Sequence, residues 1–186
     1  MAGEIEDAIE RADRESFTRQ PPKTLKGQIG YLLKQLGSAK AVAQEIGVTA
    51  DSVNRYRRGA RKHARPDVAA NIDDAVRQRW QPQVRKRRQR QAAATGGITV
   101  ETRARFGYTA PAGSTDDGRF RRLTVHLPPA YAQRLFDARE AGDSDQQMRQ
   151  IIAEGFKEIY FQDNGSRAVG LSEVEISDID YLDLDY

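Results

Sequence analysis

The stretch Ser38–Gly59, SAKAVAQEIGVTADSVNRYRRG, leaves the chain few ways to fold. Ser38 is placed to cap a helix running through Ala43 to Ile46, and Gly47 is placed to end it in the left-handed conformation that glycine tolerates. Thr49 repeats the cap for a second helix that runs to Arg58 and stops at Gly59. Val42, Ala43, Ile46, Val48, Val53 and Tyr56 fall at the packing positions of a helix-turn-helix, with Ala43 small where two helices approach closely. Thr49, Asp51, Ser52, Asn54 and Arg55 are left on the outer side, a set that reaches base edges and phosphates when such a helix enters a major groove. Arg57, Arg58, Arg61 and Lys62 extend it with positive charge. A helical hairpin inside an ordinary all-α core would use the same apolar spacing. The basic run that follows favours DNA.

Charge sharpens this reading. The chain has 186 residues with a net charge of +3, yet residues 1–95 carry 20 Lys+Arg against 11 Asp+Glu and residues 96–186 carry 10 against 16. The first half suits a polyanion and the second half another partner. The absence of cysteine removes disulfides and thiolate metal sites. Apolar runs are too short to span a bilayer, and the acidic start is unlike a signal peptide. The expectation is a protein of the cytoplasm, with no membrane partner.

The remaining chain divides by periodicity. Residues 1–22 predict an amphipathic helix with Ile5, Ala8, Ile9, Ala12 and Phe17 on one face, broken by Pro21-Pro22 and serving as an arm or support. Residues 23–91 predict the helix-turn-helix domain. Its leading helix is capped by Thr24 and carries a Leu25, Ile29, Leu32, Leu33, Leu36 stripe. A long helix opens at Pro66 and is kinked or ended by Pro82. Trp80 is expected in its core rather than as a base-stacking platform. Beyond Val84 no apolar stripe remains, and Arg85, Lys86, Arg87, Arg88 and Arg90 read as a solvated, phosphate-binding arm.

Residues 92–97, AAATGG, read as a hinge. Residues 98–165 then read β-β-α-α, a small α+β domain behind a mainly α one. ITVETRARFGYT alternates as a half-buried strand, APAGSTDDG (110–118) is a loop, and RFRRLTVHL alternates again. The portion Arg122–Phe161 has the element order of a ribbon-helix-helix unit, which would imply a homodimer with Arg122, Thr124 and His126 facing DNA. A small α+β fold sharing only that order is the alternative. Residues 166–186 read as an acidic-apolar tail that docks on a partner or folds back on the basic arm.

No catalytic constellation is visible. His63 and His126 are isolated, and no phosphate-binding glycine loop is present, so no self-contained enzyme is expected and no cofactor or metal of its own.

Taken whole, the sequence resembles the telomeric terminal proteins (Tpg type) that cap linear actinobacterial chromosomes and plasmids. The resemblance is carried by RADRESFT, PPKTLKGQIGYLLKQLGSAKAVAQEIGV, RWQPQVRKRRQ, TGGITVETRARFGYTAPAGSTDDGR, LPPAYAQRLFDAREAG, QMRQIIAEG and DIDYLDLDY, and runs nearly end to end. It implies covalent attachment to DNA 5′ ends and a role as protein primer for the synthesis that fills the 3′ overhang. It also implies a telomere-associated recruiting protein and a DNA polymerase as partners, with Mg and dNTP supplied at the polymerase site. The priming residue in that family is a mid-chain threonine. An exposed hydroxyl on a small-residue loop fits Thr115 best, with Ser114 and Thr109 as alternatives. A Thr115–Asp116 turn cap is the plain structural use of the same residues. A non-covalent, dimeric helix-turn-helix regulator is the competing function.

Overall fold

A computed structural model describes residues 3–109, 115–168 and 170–186. The chain is mainly helical, with one small antiparallel sheet of three strands. It separates into two compact units: a helical unit, Phe17–Gln83, and a mixed unit that joins Met1–Ser16 to Val84–Tyr186.

The helical unit contains α2 (Leu25–Leu36), α3 (Ala39–Ile46), α4 (Ala50–Arg58) and α5 (Pro66–Arg79). α2, α3 and α4 start where side-chain oxygens accept otherwise unpaired amides: Thr24 from Gly27, Ser38 from Ala41 and Thr49 from Ser52. Gly37, Gly47 and Gly59 end α2, α3 and α4 with φ of 78°, 70° and 76°, a region costly for residues with a Cβ. Ile29, Leu32, Val42, Ala43, Ile46, Val53, Tyr56, Val68, Ile72, Ala75 and Val76 form one core. The helix expected from Pro66 does end ahead of Pro82. Half-buried Trp80 donates its Nε1–H to the Arg19 carbonyl at 2.9 Å and lies on Tyr31 with centroids 4.9 Å apart.

The mixed unit is built on strand order β2-β1-β3, from β1 (Ile98–Thr109), β2 (Thr115–Leu127) and β3 (Glu173–Asp185). Alternation puts Ile98, Val100, Ala104 and Phe106 of β1 on one face with Leu123, Val125 and Leu127 of β2. Val174, Ile176, Leu182 and Leu184 of β3 complete that face. The same core takes in Ile5, Ala8 and Ile9 of α1 (Glu4–Glu15), Leu135 and Phe136 of α7 (Pro129–Ala141), and Met148, Ile152 and Phe156 of α8 (Asp145–Phe156).

Several sequence expectations are corrected here. The helix at 1–22 is not an arm of the helical unit. Its apolar face is consumed by the sheet core, so the division falls after Ser16 rather than at the double proline. The basic segment is not an unstructured arm: it forms α6 (Pro82–Gln91), and from Val84 it belongs to the mixed unit rather than to a domain 23–91. Residues 92–97 are not a hinge. Ala92–Gly96 continues as a π-helical turn with Ala92 buried. The tail 166–186 supplies β3, because its alternating Val174, Ile176, Leu182 and Leu184 complete the buried face of the sheet. It lies on β1, with Asp180 and Asp178 paired to Arg103 and Arg105 rather than to the Arg85–Arg90 cluster. The expected loop 110–118 is shorter, since β2 begins at Thr115. The ladder is irregular between Phe106 and Tyr108. A Cβ on Gly118 would lie 2.8 Å from Arg105 Cγ, so a larger residue there would have to displace the Arg105 side chain.

Candidate nucleic-acid interface

On α4, Val53 and Tyr56 face the core and the intervening positions face outward. The outward residues are not equivalent. The Thr49 hydroxyl is engaged as the helix cap and lies 3.0 Å from the Ser52 hydroxyl, so both act on the backbone turn. Asp51 holds Arg55 through Nε at 2.9 Å, an exposed pair of the kind worth at most about 1 kcal/mol, and so easily exchanged for another anion. Asn54, Arg57, Arg58, Arg61 and Lys62 are exposed. The helical unit carries 13 Lys+Arg against 5 Asp+Glu, a net of +8, while the rest of the chain carries 17 against 22, a net of −5. Positive charge thus concentrates in the helical unit more sharply than halving the chain suggests.

The basic cluster on α6 is split by its packing. Lys86, Arg87 and Arg90 are exposed, whereas Arg85 and Arg88 are half-buried. Burial pulls the Arg85 guanidinium below its ordinary value, against the opposing pull of Asp13. Arg85 lies beside a polar knot at the base of the mixed unit. There the fully buried Asp13 accepts from Arg139 Nη1 at 3.1 Å, Gln89 Nε2 at 3.2 Å and the Tyr186 hydroxyl at 2.7 Å. A glutamine and an arginine on α6 therefore look inward, and only the remaining cations present themselves to an anion.

Two of the three candidate acceptor residues, Thr109 and Thr115, lie at one end of the β1–β2 hairpin. Thr115 opens β2 and is the register partner of Thr109, the last residue of β1. Ser114 lies outside the described residues. Arg122, Thr124 and His126 do face outward from β2, as the alternation requires, but on a strand already paired to β1 within the same chain. Arg122 Nη2 donates to Glu101 at 2.6 Å, and His126 Nδ1 lies 3.1 Å from the Thr99 hydroxyl.

Sequence reading missed the aromatic on this outer face. Phe120 is 46% exposed, and the Arg103 and Arg105 guanidinium carbons stand 5.8 and 5.3 Å from its ring centre. Nothing in the sequence separates Phe120 from the core phenylalanines except its phase in the strand. Also missed was a cleft lined by Tyr108, Arg121, Tyr160, Phe161, Arg167 and Leu171, whose parts are scattered over more than sixty positions. Among the described residues no group of three or more His, Asp or Glu side chains is placed to hold a metal, and no helix is long and apolar enough to cross a membrane.

Compared with known proteins, the chain matches no family model, no curated protein and no solved structure. The DNA-binding reading therefore rests on the chain's own residues, and the priming reading on the resemblance to terminal proteins.

Proposed function

We propose that this chain is a DNA-end protein of the terminal-protein kind: it holds DNA through α4 and carries, at the end of the β1–β2 hairpin, the hydroxyl that primes synthesis. The observation that carries the reading is the outer side of α4. Two capped helices joined by Gly47-Val48-Thr49 present Asn54, Arg55, Arg57 and Arg58, followed by Arg61 and Lys62, on the cationic unit of a chain whose remainder is anionic. In this helix-turn-helix reading Asn54 and Arg55 contact bases and the other cations contact phosphates. Lys86, Arg87 and Arg90 add phosphate contacts.

The priming step asks little of the protein. The Thr115 hydroxyl attacks the α-phosphorus of a dNTP, the bond to the bridging oxygen breaks, pyrophosphate leaves, and the hydroxyl proton passes to a base at the polymerase. A phosphodiester joins threonine to the first dNMP, whose free 3′-hydroxyl accepts the next nucleotide. The polymerase supplies the metal ions. Thr109 closes β1 and Thr115 opens β2 as its register partner, so both candidates stand at one end of the hairpin, which supports them over hydroxyls held elsewhere. Tyr186, by contrast, is bound to Asp13, and burial and that carboxylate both raise its phenol far above the ordinary range. The recruiting partner and polymerase are part of the same proposal.

The test is transfer of labelled dNMP to the purified chain in extract containing a polymerase, followed by denaturation and peptide mapping. Thr115→Ala is expected to abolish transfer, Thr115→Ser to retain part of it, and Thr115→Tyr to fail because its oxygen projects several bonds farther from the backbone. Full labelling of Thr115→Ala moves the acceptor to Thr109 or Ser114. No nucleotide on any variant leaves the non-covalent regulator, for which the α4 surface alone is the support.

A further inference from the structure

The cleft at the hairpin end has a chemistry that no part of the preceding account uses. It measures about 300 Å3, at the lower end of the roughly 300–1,000 Å3 common for small-molecule sites. Tyr108 of β1, Tyr160 and Phe161 of the π-helical turn after α8, and Leu171 before β3 give it aromatic and apolar walls. Two guanidinium groups stand among them. Arg121 lies 5.9 Å from the Phe161 ring centre, and its Nε is buried without a hydrogen-bond partner. Arg167 lies 6.0 Å from the Tyr160 ring centre and donates from Nη2 to the Tyr160 carbonyl at 2.6 Å. Among the described residues the lining contains no carboxylate, whereas a larger cleft nearby in the same unit is lined by Glu154, Glu158 and Glu173 with Lys157 as its one described cation.

We propose that this cleft binds one nucleotide unit, its base against the Tyr160 and Phe161 rings and its phosphate at Arg121 and Arg167. Aromatic faces accept any base, and planar guanidiniums are matched to phosphate oxygens. An unpartnered buried donor gains its missing acceptor when a phosphate arrives. The occupant has two sources with the same chemistry: a free deoxynucleoside triphosphate, or the terminal nucleotide of a single strand. Its use rests on the proposed priming function, since Tyr108 precedes Thr109 and the bound nucleotide would stand at the acceptor end of the hairpin. The binding itself does not.

The full chain is titrated with 2-aminopurine deoxynucleoside triphosphate, and separately with short single strands carrying 2-aminopurine at the 3′ end, the 5′ end or the centre. Stacking is read as fluorescence quenching. Quenching is expected, with affinity falling about five- to 150-fold in Tyr160→Ala, the range of one base-stacking contact. In Arg121→Gln/Arg167→Gln the loss is at least tenfold, and the slope of log K against log salt for the oligonucleotide flattens by about 0.7 for the one phosphate released. Arg122→Gln, on the opposite face of β2, leaves both unchanged. Preference for the triphosphate or for one strand end identifies the source. Amide shifts at Tyr108, Phe161 and Arg167 on adding dATP or the single strand to the unmutated chain give a readout free of any folding defect. Absence of quenching and of those shifts with both ligands, or equal affinity in the double variant, overturns the proposal. If the cleft fails while Thr115→Ala still abolishes dNMP transfer, only the cleft falls; if quenching persists while Thr115→Ala labels fully, only the assignment of Thr115 falls.

Discussion

The two units are built on opposite principles. In the helical unit α2, α3 and α4 are each started and stopped by their immediate neighbours, and the core comes from one continuous stretch of chain, Ile29 to Val76. In the mixed unit the first helix, the middle and the last strand meet, so that Ile9 shares a core with Leu184 and Asp13 is satisfied by Gln89, Arg139 and Tyr186. Local construction is robust to loss of distant segments. Non-local construction makes both chain ends structural.

Deleting residues 173–186 breaks the comparison most directly. It removes four buried aliphatic side chains, each worth about 1.5–3 kcal/mol, a sum comparable with the whole stability of a typical domain at about 5–15 kcal/mol. The mixed unit is expected to unfold while amide dispersion for Phe17–Gln83 persists; loss of both sets would show that the units fold as one. Asp13→Ala comes next. It strands Arg139 as a buried charge with one acid fewer and is expected to cost the mixed unit about 3–5 kcal/mol, seen as a shift of only one of two denaturant transitions.

Smaller effects sharpen the local side. Thr49→Ala and Ser38→Ala should each destabilise the helical unit by about 1 kcal/mol and leave the other transition in place. A pH scan separates the units again. The Tyr186 phenol is raised by burial and by Asp13, so its contribution is complete below the unfolded value of about 10 and declines as pH rises beyond it. Tyr131, pushed up to about 12 by burial and its bond to Glu158, declines over the same alkaline range. The mixed unit should therefore lose stability above about pH 10, and Tyr186→Phe should lessen that slope. An unchanged slope would remove Tyr186 from the cause. Least of all, Arg103→Gln should move stability by under about 1 kcal/mol, since its pair with Asp180 is exposed.

What the sequence by itself determined is the helical unit and the candidate surface on α4. Caps, αL glycines and a 3.6-residue stripe act within a few residues, so Ser38, Gly47, Thr49 and Gly59 specify their turns without reference to the rest. Alternation likewise specified both strands of the hairpin and which residues of β2 face outward. What alternation leaves open is the partner. Glu173–Asp185 has the apolar spacing of a strand, yet its six carboxylates read as a tail for a partner or for the basic arm until β1 offers Arg103 and Arg105 beside an unpaired edge. The cations of α6 read as an arm until Asp13 and the sheet core draw one side of that helix inward. The cleft at the hairpin end exists only where β1, β2 and the segment after α8 converge. Tertiary structure alone decided these, because the pairing energy comes from segments far apart in the sequence, which no local pattern can name.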